Sequence, residues 1–185
     1  MTTKKYLIWT PTLLFLVALL PLTVFSQDRV VESSTHRFVE VAQGVWHVSG
    51  NGKVHTMSNV MVLVGEFDTL VVDSHVTPSA SRALLASLPV ITDKPVRYLI
   101  NSHYHFDHAH GNQSFPAGVE IIGHEFTRAK LNGDIGNVLE ENTFKSFSDP
   151  VPSLVLNLEE RLEQESNPAR EAELREQLRV QTDYM

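Results

Sequence analysis

The segment 98-YLINSHYHFDHAHGN-112 decides how this chain reads, because it holds four of the nine histidines and one aspartate among them. Tyr98 to Ile100 is an apolar strand ending, and His103, His105, Asp107, His108 and His110 follow directly. Neutral imidazole nitrogen and carboxylate oxygen are good ligands for zinc and similar divalent ions. Successive side chains of an extended segment point to opposite sides, so His103 and His105 project together and can grip one ion. Asp107 shares their parity, but the adjacent His108 faces away unless the chain turns. A turn over residues 106–111 lets Asp107 and His108 reach a second ion, and Gly111 permits the tight bend that follows. Two ions about 3.5–4 Å apart would hold a water, deprotonate it near neutral pH and polarise a substrate carbonyl. The H-x-H-x-D-H spacing is a specific signal for a two-metal site.

Working outward, the flanking chain alternates strands and helices. Residues 37–49 read as two short strands about Gly44, followed by a turn at Ser49-Gly50-Asn51-Gly52. Strands at 59–64 and 69–72 contain the continuous runs MVLV and LVV, expected of strands covered on both faces. Pro78 opens a helix whose packing face is Leu84, Leu85 and Leu88. A strand at 95–100 delivers the histidine cluster; another at 119–122 precedes a helix at 124–131. This order describes an α/β layer with helices packed on a sheet. Beyond Pro152 two helices are expected, the first with Leu154, Leu158 and Leu162 spaced in fours, the second capped by Asn167-Pro168. They read as a helical hairpin over the sheet or the site entrance, with a partner-binding coiled coil as the alternative.

At the amino end, Lys4 and Lys5 precede an apolar run, Leu7 to Phe25, and then Ser26-Gln27-Asp28. Residues 1–26 read as a secretory signal cleaved after Ser26, which places the protein in the periplasm or outside the cell. The alternative is a retained membrane anchor, in which case the membrane becomes a partner. Residues 27–150 then form the metal-binding unit and residues 151–185 the helical segment, together enough for one core. The chain of 185 residues has no cysteine, which excludes disulfides and thiolate ligands, and its net charge of −7 argues against nucleic acid as a partner.

The run HYHFDHAHG resembles the metal-binding signature of the metallo-β-lactamase superfamily over roughly residues 39–131, and VVDSH and IIGHE lie where that family places neighbouring strands. The resemblance implies an αββα sandwich, of which this chain would carry the first half plus a helical segment. It implies that His103 and His105 hold the first zinc, that Asp107 and His108 hold the second, and that Asp73 supports the ligands from beneath. It counts Asp107 as the catalytic carboxylate. The implied activity is hydrolysis of a small-molecule ester, thioester, lactone or amide by metal-bound hydroxide. The family's later histidines and bridging aspartate have no counterpart between Glu125 and Met185, where no histidine occurs. The chain is therefore expected to be the amino-terminal part of a longer protein and inactive by itself. The reading from a different class is a non-catalytic periplasmic zinc-binding or interaction protein.

The remaining histidines carry separate expectations. His110 is expected as a loop residue near the entrance, His75 either lines the pocket or packs, and His47 beside Trp46 is structural. His36 and His55 are expected on the surface. Tyr104 and Phe106 alternate with the ligands and are expected to pack, while Asn101 and Asn112 are expected to hold the loop by backbone hydrogen bonds.

Overall fold

The computed structural model describes residues 29–133 and 148–185, so the expected signal segment lies outside the described residues. Seven strands form one sheet in chain order: β1 (Arg29–Glu32), β2 (His36–Ala42), β3 (Val45–Gly50), β4 (Val60–Val64), β5 (Thr69–Val72), β6 (Val96–Ile100) and β7 (Glu120–Ile122). The first five pair antiparallel as a meander, and β5, β6 and β7 run parallel. The change from antiparallel to parallel requires a crossover. Helix α1 (Pro78–Ser87) supplies it between β5 and β6. Thr77 caps this helix by accepting from Ala80 N at 3.1 Å, with Pro78 at the first helical position as the sequence leads one to expect.

The core lies on one face of the sheet, where Leu84 and Leu88 cover Phe38, Trp46, Val48, Val60, Val62, Val71 and Leu99. Strand β4 alternates rather than being covered on both sides: Val60 and Val62 are buried, whereas Met61 is 40% exposed. The expectation from its unbroken apolar run is corrected on that point. An antiparallel neighbourhood leaves the second face open to solvent. Strand β1, absent from the sequence reading, adds an edge with Val30 exposed. At the reversal between β2 and β3, Gly44 takes φ +72°, and a Cβ there would stand 2.9 Å from Val64 O. Only glycine meets both conditions without strain.

Among the described residues four further helices follow: α2 (Phe106–Ala109), α3 (Glu125–Asn132), α4 (Val151–Gln164) and α5 (Pro168–Thr182). Helices α4 and α5 pack on each other as a hairpin, and Asn167 Oδ1 caps α5 by accepting from Ala169 N and Arg170 N. The buried face of α4 is Val151, Val155 and Leu158, whereas Leu154 is 43% exposed. Of the expected stripe Leu158 is buried and Leu162 half-buried, while Val155 takes the buried place expected of Leu154. The end of α5 docks beside the histidine segment, where Asp183 Oδ2 accepts from His55 N at 2.9 Å and Asp183 O accepts from Ser79 N at 3.2 Å. Tyr184, the next residue, lies beside Asp107, so the end of the hairpin approaches the histidine segment. Among the described residues no helix is long and apolar enough to cross a membrane.

Candidate metal centre

Strand β6 pairs with β5 in parallel, so both strands end on the same side of the sheet, at Val72-Asp73 and Ile100-Asn101. Ligand sites in parallel sheets form at the carboxyl ends of strands, where loops diverge over a fixed base. Asp73 N donates to Ile100 O at 2.8 Å and continues the pairing one residue further. Its φ is +67°, a left-handed conformation unusual for a non-glycine residue, and this turns its carboxylate under the histidine segment.

The buried Asp73 carboxylate accepts three hydrogen bonds, each 2.8 Å: from Ser102 N, Ser102 Oγ and His108 Nδ1. These bonds fix protons elsewhere. Ser102 spends its hydroxyl proton on Asp73, so the 3.0 Å contact between Ser102 Oγ and His103 Nδ1 makes His103 Nδ1 the donor. His103 and His108 therefore both present Nε2 as the nitrogen with a free lone pair. A carboxylate behind a histidine that sets its tautomer is the usual support of a metal ligand.

The His103 ring lies 4.6 Å from that of His105 and 4.3 Å from that of His108, centroid to centroid. His108 Nε2 stands 3.3 Å from Asp107 Oδ2. Four of the donors expected from the sequence are thus gathered at one place, with Asp73 beneath them. Burial, and then the neighbouring His108 and His105, hold His103 below its ordinary pKa and favour the neutral, ligating form. Among the described residues no group of three or more such side chains is already disposed to hold an ion. The donors face one another: a neutral His108 with its proton on Nδ1 turns a lone pair toward the Asp107 carboxylate. That contact is satisfied by a positive charge, either a proton on Nε2 or a metal ion. Three imidazoles and one carboxylate make a nitrogen-rich donor set whose chemistry would suit a divalent ion such as zinc, and His103, His105, Asp107 and His108 are the residues that would hold it.

The histidine segment is anchored on its far side as well. Helix α2 makes the turn expected over residues 106–111, and Ser74 N donates to His108 O at 2.8 Å. Gly111 N donates to His75 O at 3.2 Å. Asn101 and Asn112 join amide to amide, at 3.0 and 2.7 Å, and tie the start of the segment to its end. They hold the loop as expected, through side chains instead of backbone groups. Phe106 packs at 5.9 Å from the ring of His110, and Tyr104 meets Phe126 edge-on at 5.8 Å.

Two expectations about histidines are corrected. His110 is 2% exposed, within the base of the loop and not at the entrance. The one-turn helix α2 carries it inward on the same face as Phe106, a geometry that a simple bend does not have. His36 is fully buried instead of lying on the surface. Its Nε2 lies 3.2 Å from Nε2 of His75, and the two rings stack at 5.2 Å. His75 packs, which decides between its two expected roles. Two further residues at the site were not foreseen: Ser58, which donates to Asp107 O, and Tyr184, half-buried beside Asp107. Burial and the Asp107 charge push the Tyr184 phenol up to about 12. Neither residue belongs to a motif, and no local spacing announces either.

The buried histidine pair has a measurable consequence for stability. Burial pushes His36 down to about 4; burial and then the charge of His36 push His75 down to about 3. Below pH 6.5 the unfolded chain takes up protons at these positions and the folded chain does not. Stability is therefore complete above pH 6.5 and falls as the pH drops toward 4, by up to about 1.4 kcal/mol per pH unit for each histidine. Urea midpoints between pH 7 and 4.5 measure this; a His36→Gln variant is expected to flatten the dependence, and an equally steep slope in that variant would contradict it.

Residues 55–155 match the family model described as the metallo-beta-lactamase superfamily. The chain is 33% identical over 110 residues to the 2,4-dinitroanisole O-demethylase subunit beta of Nocardioides sp. (strain JS1661), an overlap of 58% of this chain and 32% of that protein. Among solved structures it is similar to a metallo-beta-lactamase from Erythrobacter litoralis, at 21% identity and TM-score 0.46, covering 54% of this chain and 46% of that one. A metallo-beta-lactamase from Hirschia baltica is similar at 23% identity and TM-score 0.44, covering 51% and 45%. The chain thus spans about a third of the curated relative's length and under half that of the solved relatives. Since the family match takes in more than half of the residues and includes every donor described above, the chain belongs to the metallo-beta-lactamase superfamily.

Proposed function

We propose that this chain provides the first half of the metal site of an exported zinc hydrolase acting on an ester, thioester, lactone or amide. The observation that carries the reading is the cluster of His103, His105 and His108 with Asp107, backed by Asp73 on His108 Nδ1. Divalent ions held there would polarise a carbonyl and acidify water. The chain's own contribution is positional. Asp73 and Ser102 set which nitrogen of His103 and His108 is free, and the bonds from Ser74 and Gly111 hold the loop in register. Export is proposed from the amino-terminal apolar segment alone.

A cavity of about 400 Å³ opens beside the loop, lined by Met57, Phe106, Leu154, Val180 and Tyr184 among others. Its walls suit an apolar or aromatic substituent of the substrate. The aromatic compound in the curated relative's name is of that kind, and is that protein's. In the full-length protein, Phe106→Ala is expected to raise KM for an aryl ester about tenfold and to change KM for an acetyl ester little.

Metal analysis and turnover on a panel of esters, thioesters, lactones and amides test the proposal. Zinc uptake with turnover of at least one substrate supports it. Zinc uptake without turnover by the full-length protein favours the non-catalytic zinc-binding reading, and no uptake removes both.

A further inference from the structure

We infer that His75, with His36 behind it, is a positioning residue that holds the loop of Asp107 and His108 in place for metal binding. The inference rests on the metal-site reading above. His75 is fully buried, sits at φ +64°, and has both ring nitrogens engaged. Its Nδ1 lies 3.1 Å from Ser58 O. A carbonyl oxygen only accepts, so Nδ1 carries the proton. Neutral His75 then accepts at Nε2, which makes His36 Nε2 the donor across 3.2 Å. His36 Nδ1 in turn accepts from Thr35 Oγ1 at 2.9 Å. One arrangement of protons satisfies this whole chain, so the two rings are locked by hydrogen bonds as well as by packing.

The lock acts on the loop from two sides. Ser58, whose carbonyl holds the His75 ring, donates its hydroxyl to Asp107 O. On the other side the backbone of His75 accepts from Gly111 N, and its neighbour Ser74 donates to His108 O. The strip around Ser58 and the strip 73–75 thus clasp residues 107–111 between them. The His75 ring sets the spacing of the two strips, together with Val76 N donating to Thr56 O at 3.3 Å and Thr77 Oγ1 donating to His55 O at 3.1 Å. A left-handed, non-glycine backbone at Asp73 and at His75 persists only where the surroundings over-determine it, as these bonds do. Any buried histidine needs its nitrogens paired, so what sets His75 apart from a histidine that merely fills the core is the path through Ser58 and Gly111 to the backbone of residues 107–111.

Three variants test the inference: His75→Leu removes both polar contacts, His75→Asn keeps a donor for Ser58 O, and Ser58→Ala keeps the histidine pair but cuts the link to Asp107. In metal-free protein, at a pH and temperature where each variant is folded, amide exchange is followed at Ser74 and Gly111 against Val71 and Leu99 in the sheet. The expected result is about tenfold faster exchange at Ser74 and Gly111 in His75→Leu and Ser58→Ala, with the sheet amides unchanged and His75→Asn close to wild type. Titration with cobalt is expected to show about tenfold weaker binding at the step that engages Asp107 and His108, and little change at the step that engages His103 and His105. Uniform acceleration of all four amides, or no acceleration at all, overturns the inference. Where His75→Leu does not fold, Ser58→Ala decides alone. The exchange result stands without any metal, so selective loosening with no cobalt binding in wild type would overturn the metal-site reading and leave the clasp intact.

Discussion

Replacing His103 and His105 together by alanine is expected to abolish zinc uptake while changing the stability of the metal-free protein by no more than about 1 kcal/mol. Both rings are at least partly exposed at the mouth of the loop, and the bonds that hold the loop come from Ser102, His108 and Gly111 instead. Removing the rings therefore removes donors without unsatisfying buried groups. Asp73→Asn is expected to behave in the opposite way. The carboxylate has two oxygens that accept from three donors, and an amide there offers one oxygen and presents N–H groups to Ser102 or His108. That substitution is expected to cost about 2 kcal/mol of stability through unpaired buried donors, and to weaken zinc binding about 10- to 100-fold. Metal content by elemental analysis and urea melts of the apo-protein read the two effects separately. Wild-type zinc uptake by the double alanine variant would remove the metal centre from consideration. A variant Asp73→Asn with unaltered affinity would leave the donors but deny Asp73 its supporting part.

What could be read in advance follows the range of the interaction concerned. The His103–His108 segment announces itself because all its donors lie within one strand end and one turn, where side-chain parity is fixed by the backbone. The capping of α1 by Thr77-Pro78 and of α5 by Asn167-Pro168 is local in the same sense. The burial of β4 is not, because an unbroken apolar run is silent about whether a second layer covers the outer face. The burial of His36 is hidden from the sequence for a like reason. Its environment is made by a residue 39 positions away, brought near by the pairing of the four strands β2 to β5. Tyr184 is the extreme case: it reaches the side of Asp107 only after two helices have folded back over the loop. Chemistry within a turn is visible in sequence, and the shell built around it by tertiary contact is not.

Gly111→Ala is expected to destabilise the protein by about 2–4 kcal/mol and to lower zinc affinity with it. The sequence suggests that this glycine is needed for a sharp bend, but its φ of −82° is open to any residue. Space is what it lacks. A Cβ at position 111 would stand 1.8 Å from Ser81 Oγ and 2.0 Å from Ser74 O. The serine hydroxyl could rotate away, at the loss of its bond to Ser74 O, but the carbonyl belongs to the backbone that leads out of β5 and cannot yield alone. The loop must then move outward by about an ångström, well beyond what a close-packed interior absorbs without loss. That movement opens Gly111 N to His75 O and Ser74 N to His108 O, the two bonds that place His108 over Asp73. Gly118→Ala is the matched control, since nothing lies within 4 Å of a Cβ at that position. It is expected to stay within about 0.5 kcal/mol of wild type. Urea melts of both variants, with zinc titrated into each, decide the matter. If Gly111→Ala melts like Gly118→Ala, the loop does not lie as close to the Ser74–Ser81 turn as described, and the positioning of His108 must have another origin.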